Sequence, residues 1–217
     1  MDFNLARQNM IEQQIRPWDV LDQQTLDLFH TIHREDFVPE QYRQLALADI
    51  NIPLAHGEVT MTPKVEARLL QSLAVTRRDK ALEVGTGCAF LTALLACAAR
   101  EVHSVDIYPE FSGTAATKLS RYGLSNVVLH TGDAVHGWAA DQPYDVIAVT
   151  GSVPILTEEF QQHLAANGRL FVIAGQPPVM EALLITRLGE REWSRESLFE
   201  TDLPPLIGAP APPRFGF

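Results

Sequence analysis

The chain has 217 residues, 46% of them hydrophobic and 20% charged, a globular balance that excludes a disordered or fibrous chain. A chain this long buries roughly 70% of its unfolded surface, so neither disulfides nor metals are needed to hold it. Seventeen Lys and Arg against 27 Asp and Glu leave a net charge of −10, which repels a phosphate backbone and argues against nucleic-acid binding.

The opening MDFNLARQNM lacks the apolar stretch of a secretory signal. From Asp2 to Ile15 and from Val20 to His33, apolar residues recur at three and four, which predicts two helices broken by Pro17-Trp18-Asp19. The segment from Asp49 to Pro63 has no helical period and reads as an ordered loop. A third helix is expected to start near Pro63, a favourable first-turn residue, and to reach Ala74.

From Lys80 onward short β-rich runs alternate with helices. Strands are expected at Ala81–Val84, Val102–Ile107, Val127–His130, Asp145–Thr150 and Leu170–Ala174. Helices are expected near Leu91–Ala99, Glu110–Tyr122 and Leu156–Ala165, the last closed by Asn167-Gly168. Such alternation, with strands rich in Val, Ile and Leu and few polar breaks, predicts a parallel, doubly wound α/β sheet covered on both faces. Ala182–Leu188 and Glu196–Thr201 alternate apolar and polar, as two antiparallel strands closing the sheet edge would. Pro204–Pro213 reads as an extended, turn-forming tail.

No apolar run approaches the roughly 18 residues of a membrane helix. Cys88 and Cys97 match no zinc spacing and lie within one helical stretch, so both are expected to be reduced, as in a cytoplasmic protein. The seven histidines are scattered, and no metal site is expected.

The chemistry concentrates after the first strand, at Glu83-Val84-Gly85-Thr86-Gly87-Cys88-Ala89-Phe90. Glycines there permit a tight turn and expose main-chain amides to a ligand. Asp106 ends the second strand 21 residues after Gly85, about where an acid reaches the ribose hydroxyls of a nucleotide. Gly132-Asp133-Ala134 closes the third strand, and Asp133 could accept from an adenine amino group. In a dinucleotide fingerprint the third small residue would fall at Phe90, where a ring obstructs close packing. No phosphate-cradling GxxxxGK[ST] is present either. The pattern favours S-adenosylmethionine, which carries no phosphate.

REDFVPE (34–40), IPLAHG (52–57) before Pro63, ALEVGTG (81–87), SVD (104–106), NVVLHTGDAVHGW (126–138), PYDVIAVT (143–150), LAANGRLFVIAG (164–175) and PPLIG (204–208) together resemble the protein-L-isoaspartate O-methyltransferases. The resemblance implies a doubly wound, mostly parallel, seven-stranded Rossmann-like methyltransferase sheet with an N-terminal helical segment. Residues 1–76 would supply helices and an active-site loop packed on an S-adenosylmethionine-binding core, 77–217, in one structural domain. The cofactor residues it implies are Glu83, Gly85, Thr86, Gly87, Asp106, Ile107, Asp133, Ala134 and Thr150. The loop from Ile52 to Pro63 would close over cofactor and acceptor.

The acceptor side departs from the family, whose loop typically reads Gly-Gln-Thr-Ile-Ser-x-Pro. Met61 stands where the family has its active-site serine, Glu58 replaces the glutamine and Val59 the threonine. Thr60, Met61 and His56 are the candidates for the acceptor side. The expected activity is methylation of a carboxylate of damaged aspartyl residues in a protein or peptide. The alternatives are methylation of a less anionic acceptor, or a catalytically weak cofactor-binding role.

Overall fold

Strands as apolar as these need cover on both faces, and the computed structural model, described over residues 1–212, shows how they obtain it. Seven strands form one sheet: β1 (Lys80–Val84), β2 (Glu101–Asp106), β3 (Val127–Thr131), β4 (Tyr144–Val153), β5 (Leu164–Gln176), β6 (Val179–Gly189) and β7 (Glu192–Thr201). Their order is β3-β2-β1-β4-β5-β6-β7. The first five are parallel, whereas β6 and β7 run antiparallel as a hairpin on the edge. Strand order reverses between β1 and β4, and in such sheets a crevice opens at the carboxyl ends of the strands at that point.

Side chains alternate across the sheet. Ala81, Val146, Ala148 and Phe171 face one buried cluster, with Leu70 of α3 (Pro63–Leu73), Leu94 of α4 (Phe90–Ala98) and Leu119 of α5 (Pro109–Arg121). Ile11, Ile15, Phe29 and Phe37 from the N-terminal segment join the same cluster. Leu82, Val84, Ile147 and Leu170 face the other side, packed by Phe160 of α6 (Glu159–Gln162), Trp138 and Leu206. Helices therefore lie on both faces, but unequally: the second face relies on one short turn and on loops.

Several expected elements are shorter. α1 is Phe3–Met10, capped by Asp2, whose carboxylate accepts from Asn4 N and Leu5 N; it then widens to a π turn at Ile11–Ile15. α2 is Gln23–Thr31, because Asp22 caps it, accepting from Thr25 N at 2.7 Å, a cap worth about 1 kcal/mol. The helix expected over 156–165 shrinks to α6, and Asn167-Gly168 is not its cap. Leu164 already pairs with Tyr144 in the sheet, and burying Leu164 and Leu170 fully, worth about 1.5–3 kcal/mol each, outweighs a helical spacing. Asn167 does take a left-handed φ of 60°, as a kink within β5.

The tail is held by β4. Ser152 N donates to Pro204 O, Leu206 N to Ser152 O (both 2.9 Å), and Ser152 Oγ to Leu203 O at 2.7 Å. Pro213, the last residue of the expected tail, lies outside the described residues. No helix among the described residues is long and apolar enough to cross a membrane.

Candidate active site

The turn between β1 and α4 is built from residues that only a small side chain allows. Gly85 holds φ at 98° and Gly87 at 50°. A Cβ on Gly85 would collide with Thr150 Oγ1, which lies 2.9 Å from both the Val84 and Gly85 carbonyl oxygens. Thr150 thereby ties the end of β4 to the turn. Asp106, on the neighbouring strand, accepts from Gly87 N (2.9 Å) and Tyr108 N (3.0 Å) with its two carboxylate oxygens. Asp133 accepts from Val135 N at 2.9 Å with one oxygen.

A cleft of about 730 Å³, open to solvent, lies over this edge, within the size range of small-molecule sites. Gly85, Gly87, Asp106, Ile107, Asp133, Ala134 and Thr150 line it. Glu83 and Thr86, expected with them, do not. Glu83 is fully buried beneath the turn, where its Oε2 accepts from Thr92 Oγ1 (2.5 Å) and Ser104 Oγ (2.6 Å). Thr86 is buried against Ser104, with 2.6 Å between their hydroxyls. Burial pushes the Glu83 carboxyl up to about 8, although those two hydroxyls pull the other way. Its Oε1 has no partner among the described residues. Glu83 is thus a strut that joins β1, β2 and α4 under the turn.

Residues not anticipated for the site complete the walls. Tyr108 and Phe111 form one side, Glu58 and Val59 come from the loop, and Leu203 to Ile207 come from the tail. The signal for the tail was present in the Pro-Pro-Leu-Ile-Gly run, but nothing in its spacing says that it folds back on β4.

The loop from Ile52 to Thr60 doubles back on itself: Leu54 N donates to Glu58 O at 2.8 Å and Thr60 N to Ile52 O at 3.0 Å. It covers the glycine turn, with Leu54 set so close that a Cβ on Gly87 would come within 3.3 Å of it. Glu58 reaches the cleft; burial and the charge of Asp106 raise its carboxyl, against the pull of His56.

The three acceptor-side candidates are employed otherwise. The His56 ring stacks on Tyr108, with centroids 3.8 Å apart and planes 6° apart, and lies 3.6 Å from the Glu110 carboxylate. It fastens the loop to the start of α5 and is not part of the cleft wall. Thr60 is buried, and its Oγ1 accepts from Arg34 (2.9 Å) and Ile52 N (3.0 Å). Met61 is buried in the core cluster and contributes its carbonyl to Arg34 at 2.8 Å. Arg34 also donates to Ala46 O (2.6 Å) and Glu66 (3.1 Å), so one buried guanidinium holds the loop from below.

A nucleoside without phosphates suits these walls. Among the described residues they carry carboxylates at Glu58, Asp106 and Asp133 and no lysine or arginine, whereas a pyrophosphate would call for cations or a free helix N-terminus. Each oxygen of Asp106 keeps a lone pair beyond its backbone bond, enough to accept from two vicinal hydroxyls.

Comparisons with known proteins agree with this geometry. The model of the family described as protein-L-isoaspartate(D-aspartate) O-methyltransferase matches residues 5–201. A protein-L-isoaspartate O-methyltransferase from Koribacter versatilis is 34% identical over 206 residues, covering 95% of this chain and 92% of its own. One from Rhodopseudomonas palustris is 33% identical over 201 residues, covering 92% of each. Among solved structures, one assigned to this family from Plasmodium falciparum, in complex with S-adenosyl-L-homocysteine, superposes with a TM-score of 0.76 at 16% identity, covering 95% of this chain and 98% of its own. The seven-stranded sheet, the glycine turn and a match along nearly the whole length lead to one conclusion: the chain belongs to the protein-L-isoaspartate (D-aspartate) O-methyltransferase family.

Proposed function

We propose that the chain is an S-adenosylmethionine-dependent O-methyltransferase that esterifies a carboxylate of isoaspartyl residues in damaged proteins. The observation that carries this reading is the cleft itself, acidic, without lysine or arginine among the described residues, and set at the switch point of the sheet. When bound, the cofactor supplies a sulfonium-activated methyl group for a one-step displacement. Asp106 would hold its ribose hydroxyls and Asp133 its adenine amino group. Gly85 and Gly87 would leave main-chain atoms bare against it, and Ile107 and Ala134 would pack its base.

An acceptor carboxylate is already ionised at neutral pH, so no residue must remove a proton. What remains for the chain is alignment and exclusion of water. Holding reactants in line can supply up to about 7–11 kcal/mol, and the loop from Ile52 to Thr60 with the tail from Leu203 forms the two jaws that would do so. Relatives at 33–34% identity named for isoaspartyl methylation do not favour a less anionic acceptor or a catalytically weak role. Two free thiols, Cys88 and Cys97, support a reduced, cytoplasmic setting.

The test is methyl incorporation into an isoaspartyl peptide beside its aspartyl twin, with calorimetry of S-adenosylhomocysteine and NADH. Selective incorporation and binding of the first nucleoside alone are expected. Equal labelling of both peptides, or preference for NADH, would reject the reading.

A further inference from the structure

Val105 of β2 faces the second buried cluster, pairs in register with His130 of β3 and lies two residues from His103. Alternation therefore turns both histidines to that face of the sheet. His103 is buried. The two rings are stacked, with planes 9° and centroids 5.3 Å apart, and His103 Nδ1 lies 3.0 Å from His130 Nε2. His130 also meets the Trp138 ring, at 5.3 Å between centroids.

The indole in turn occupies the space over Gly132, where a Cβ would come within 2.9 Å of it. Trp138 Nε1 has no hydrogen-bond partner among the described residues, so the ring stands where its packing puts it. Gly132 opens the turn that presents Asp133 and Ala134 to the cleft. Its N donates to Asp106 O, and Gly137 N closes the turn on Ala134 O, both at 2.9 Å. Contacts thus run without a break from His103 through His130 and Trp138 to the foot of Asp133.

The protons of the pair decide whether it holds. One nitrogen of the 3.0 Å contact must donate and the other accept. His103 Nε2 lies 3.1 Å from Glu101 Oε1, and a carboxylate only accepts, so Nε2 carries a hydrogen. With both rings neutral, His130 then donates to His103. One extra proton on either ring leaves a lone pair for the bond. A proton on each leaves none, and two stacked cations repel.

The charges around the pair do not cancel that repulsion. Asp141, 3.7 Å from His103 Nδ1, and Glu101 oppose it, but both are largely open to water. Lys80 of β1 adds to it, with its ammonium on Asp141 O. Tyr144 of β4, edge-on to His103, is neutral, its hydroxyl pushed up to about 12 by burial and by Asp141 and Glu101.

From this geometry, and resting on the reading of the cleft as a nucleoside site, we propose that His103 and His130 are positioning residues for the cofactor. The pair seats Trp138 against the Gly132-Asp133 turn while at most one ring is charged, and releases it when both are. Burial and the neighbouring His103 lower the His130 ring from its ordinary 6.5, against the pull of Asp141. The pair is therefore intact at neutral pH, and its rupture falls on the acid side of that value.

The experiment is calorimetry of S-adenosylhomocysteine from pH 7.5 to 5, with tryptophan emission followed over the same range with and without ligand. The affinity of the unmodified chain is expected to fall about tenfold on the acid side of 6.5. His130→Gln, whose amide can donate to His103 but takes up no proton, should lose that decline. Any titration of Glu58 in the same cleft is common to both chains and cancels between them. Emission should change with the same midpoint, and Trp138→Phe should abolish that change while Trp18 and Trp193 remain. Linkage is reciprocal, so saturating S-adenosylhomocysteine should move the midpoint about one pH unit further into acid. That shift is read on the unmodified chain and needs no variant to fold. Parallel affinity curves for the unmodified chain and His130→Gln, or an emission midpoint that ignores the ligand, would overturn the inference alone. A chain that binds no S-adenosylhomocysteine at any pH would overturn the reading of the cleft, and the inference with it.

Discussion

Asp106 serves two masters. Its carboxylate pins the glycine turn through Gly87 N and the start of α5 through Tyr108 N, while its remaining lone pairs face the cleft. Asp106→Ala should therefore weaken S-adenosylhomocysteine binding by about 1–3 kcal/mol, read by calorimetry; an unaltered affinity would deny it the ribose. Glu83 is different, since it never reaches the cleft. Its carboxyl, raised to about 8 by burial, is protonated in the fold at neutral pH, and a free carboxyl of the unfolded chain is not. The folded value lies above the unfolded one, so the stability it contributes is complete below about 4.5 and is lost as pH rises through about 8. Glu66, raised to about 7 by its own burial, adds to the same decline. Denaturant midpoints should fall between pH 5 and 8, and Glu83→Gln should flatten the curve to the part that Glu66 contributes. A slope untouched by that change would show that Glu83 is ionised in the fold.

At the scale of elements, the loop over the cleft owes its shape to Arg34. Its guanidinium reaches Ala46 O, Met61 O, Thr60 Oγ1 and Glu66 from a fully buried position. Arg34→Met should cost about 3–5 kcal/mol by leaving Glu66 buried without its partner. The loss should be smaller at pH 5, where Glu66 can take up a proton; an equal loss at both pH values would place the cost elsewhere. Elements with one strong signal were legible in the sequence. The parallel strands announced themselves as runs rich in Val, Ile and Leu with few polar breaks, as burial on both faces demands of β1, β2, β4 and β5; β3, on the edge, carries the same signal without burying a residue fully. The helix over 156–165 did not exist as read, because Leu164 has the same spacing whether it caps a helix or opens a strand. The glycine turn and the acids at Asp106 and Asp133 were legible too, since φ and strand ends are local matters. Glu83 was misplaced because alternation along β1 turns Val84 to the cleft and Glu83 beneath it, a parity that a motif does not state, and Thr86, in the turn beyond β1, is drawn down to the Ser104 hydroxyl. Thr60 and Met61 are held otherwise because Arg34, 26 and 27 residues upstream, takes the hydroxyl of one and the carbonyl of the other, and His56 is drawn to Tyr108, 52 residues downstream.

Over the whole molecule, the wall that the sequence hid is the one made last in the chain. Leu203 to Ile207 close the cleft opposite the glycine turn, held by backbone bonds to Ser152. Gly151 makes room for them, as a Cβ there would come within 2.7 Å of Leu206. Gly151→Val should displace this segment and weaken S-adenosylhomocysteine binding about tenfold or more, while far-ultraviolet circular dichroism stays near that of the parent because Gly151 lies in the irregular stretch of β4 between Ala148 and Ser152, outside the paired residues. Affinity equal to the parent's would show that the tail is no part of the site. The same attachment makes a bound nucleoside a clasp between the middle of the chain and its far end. Detachment of the segment from Leu203 to Leu206 must break the ligand's contacts as well as three hydrogen bonds, so occupancy suppresses it by mass action. Amide hydrogen exchange at Leu206 N should accordingly slow when S-adenosylhomocysteine is present, and an unchanged rate would deny the clasp.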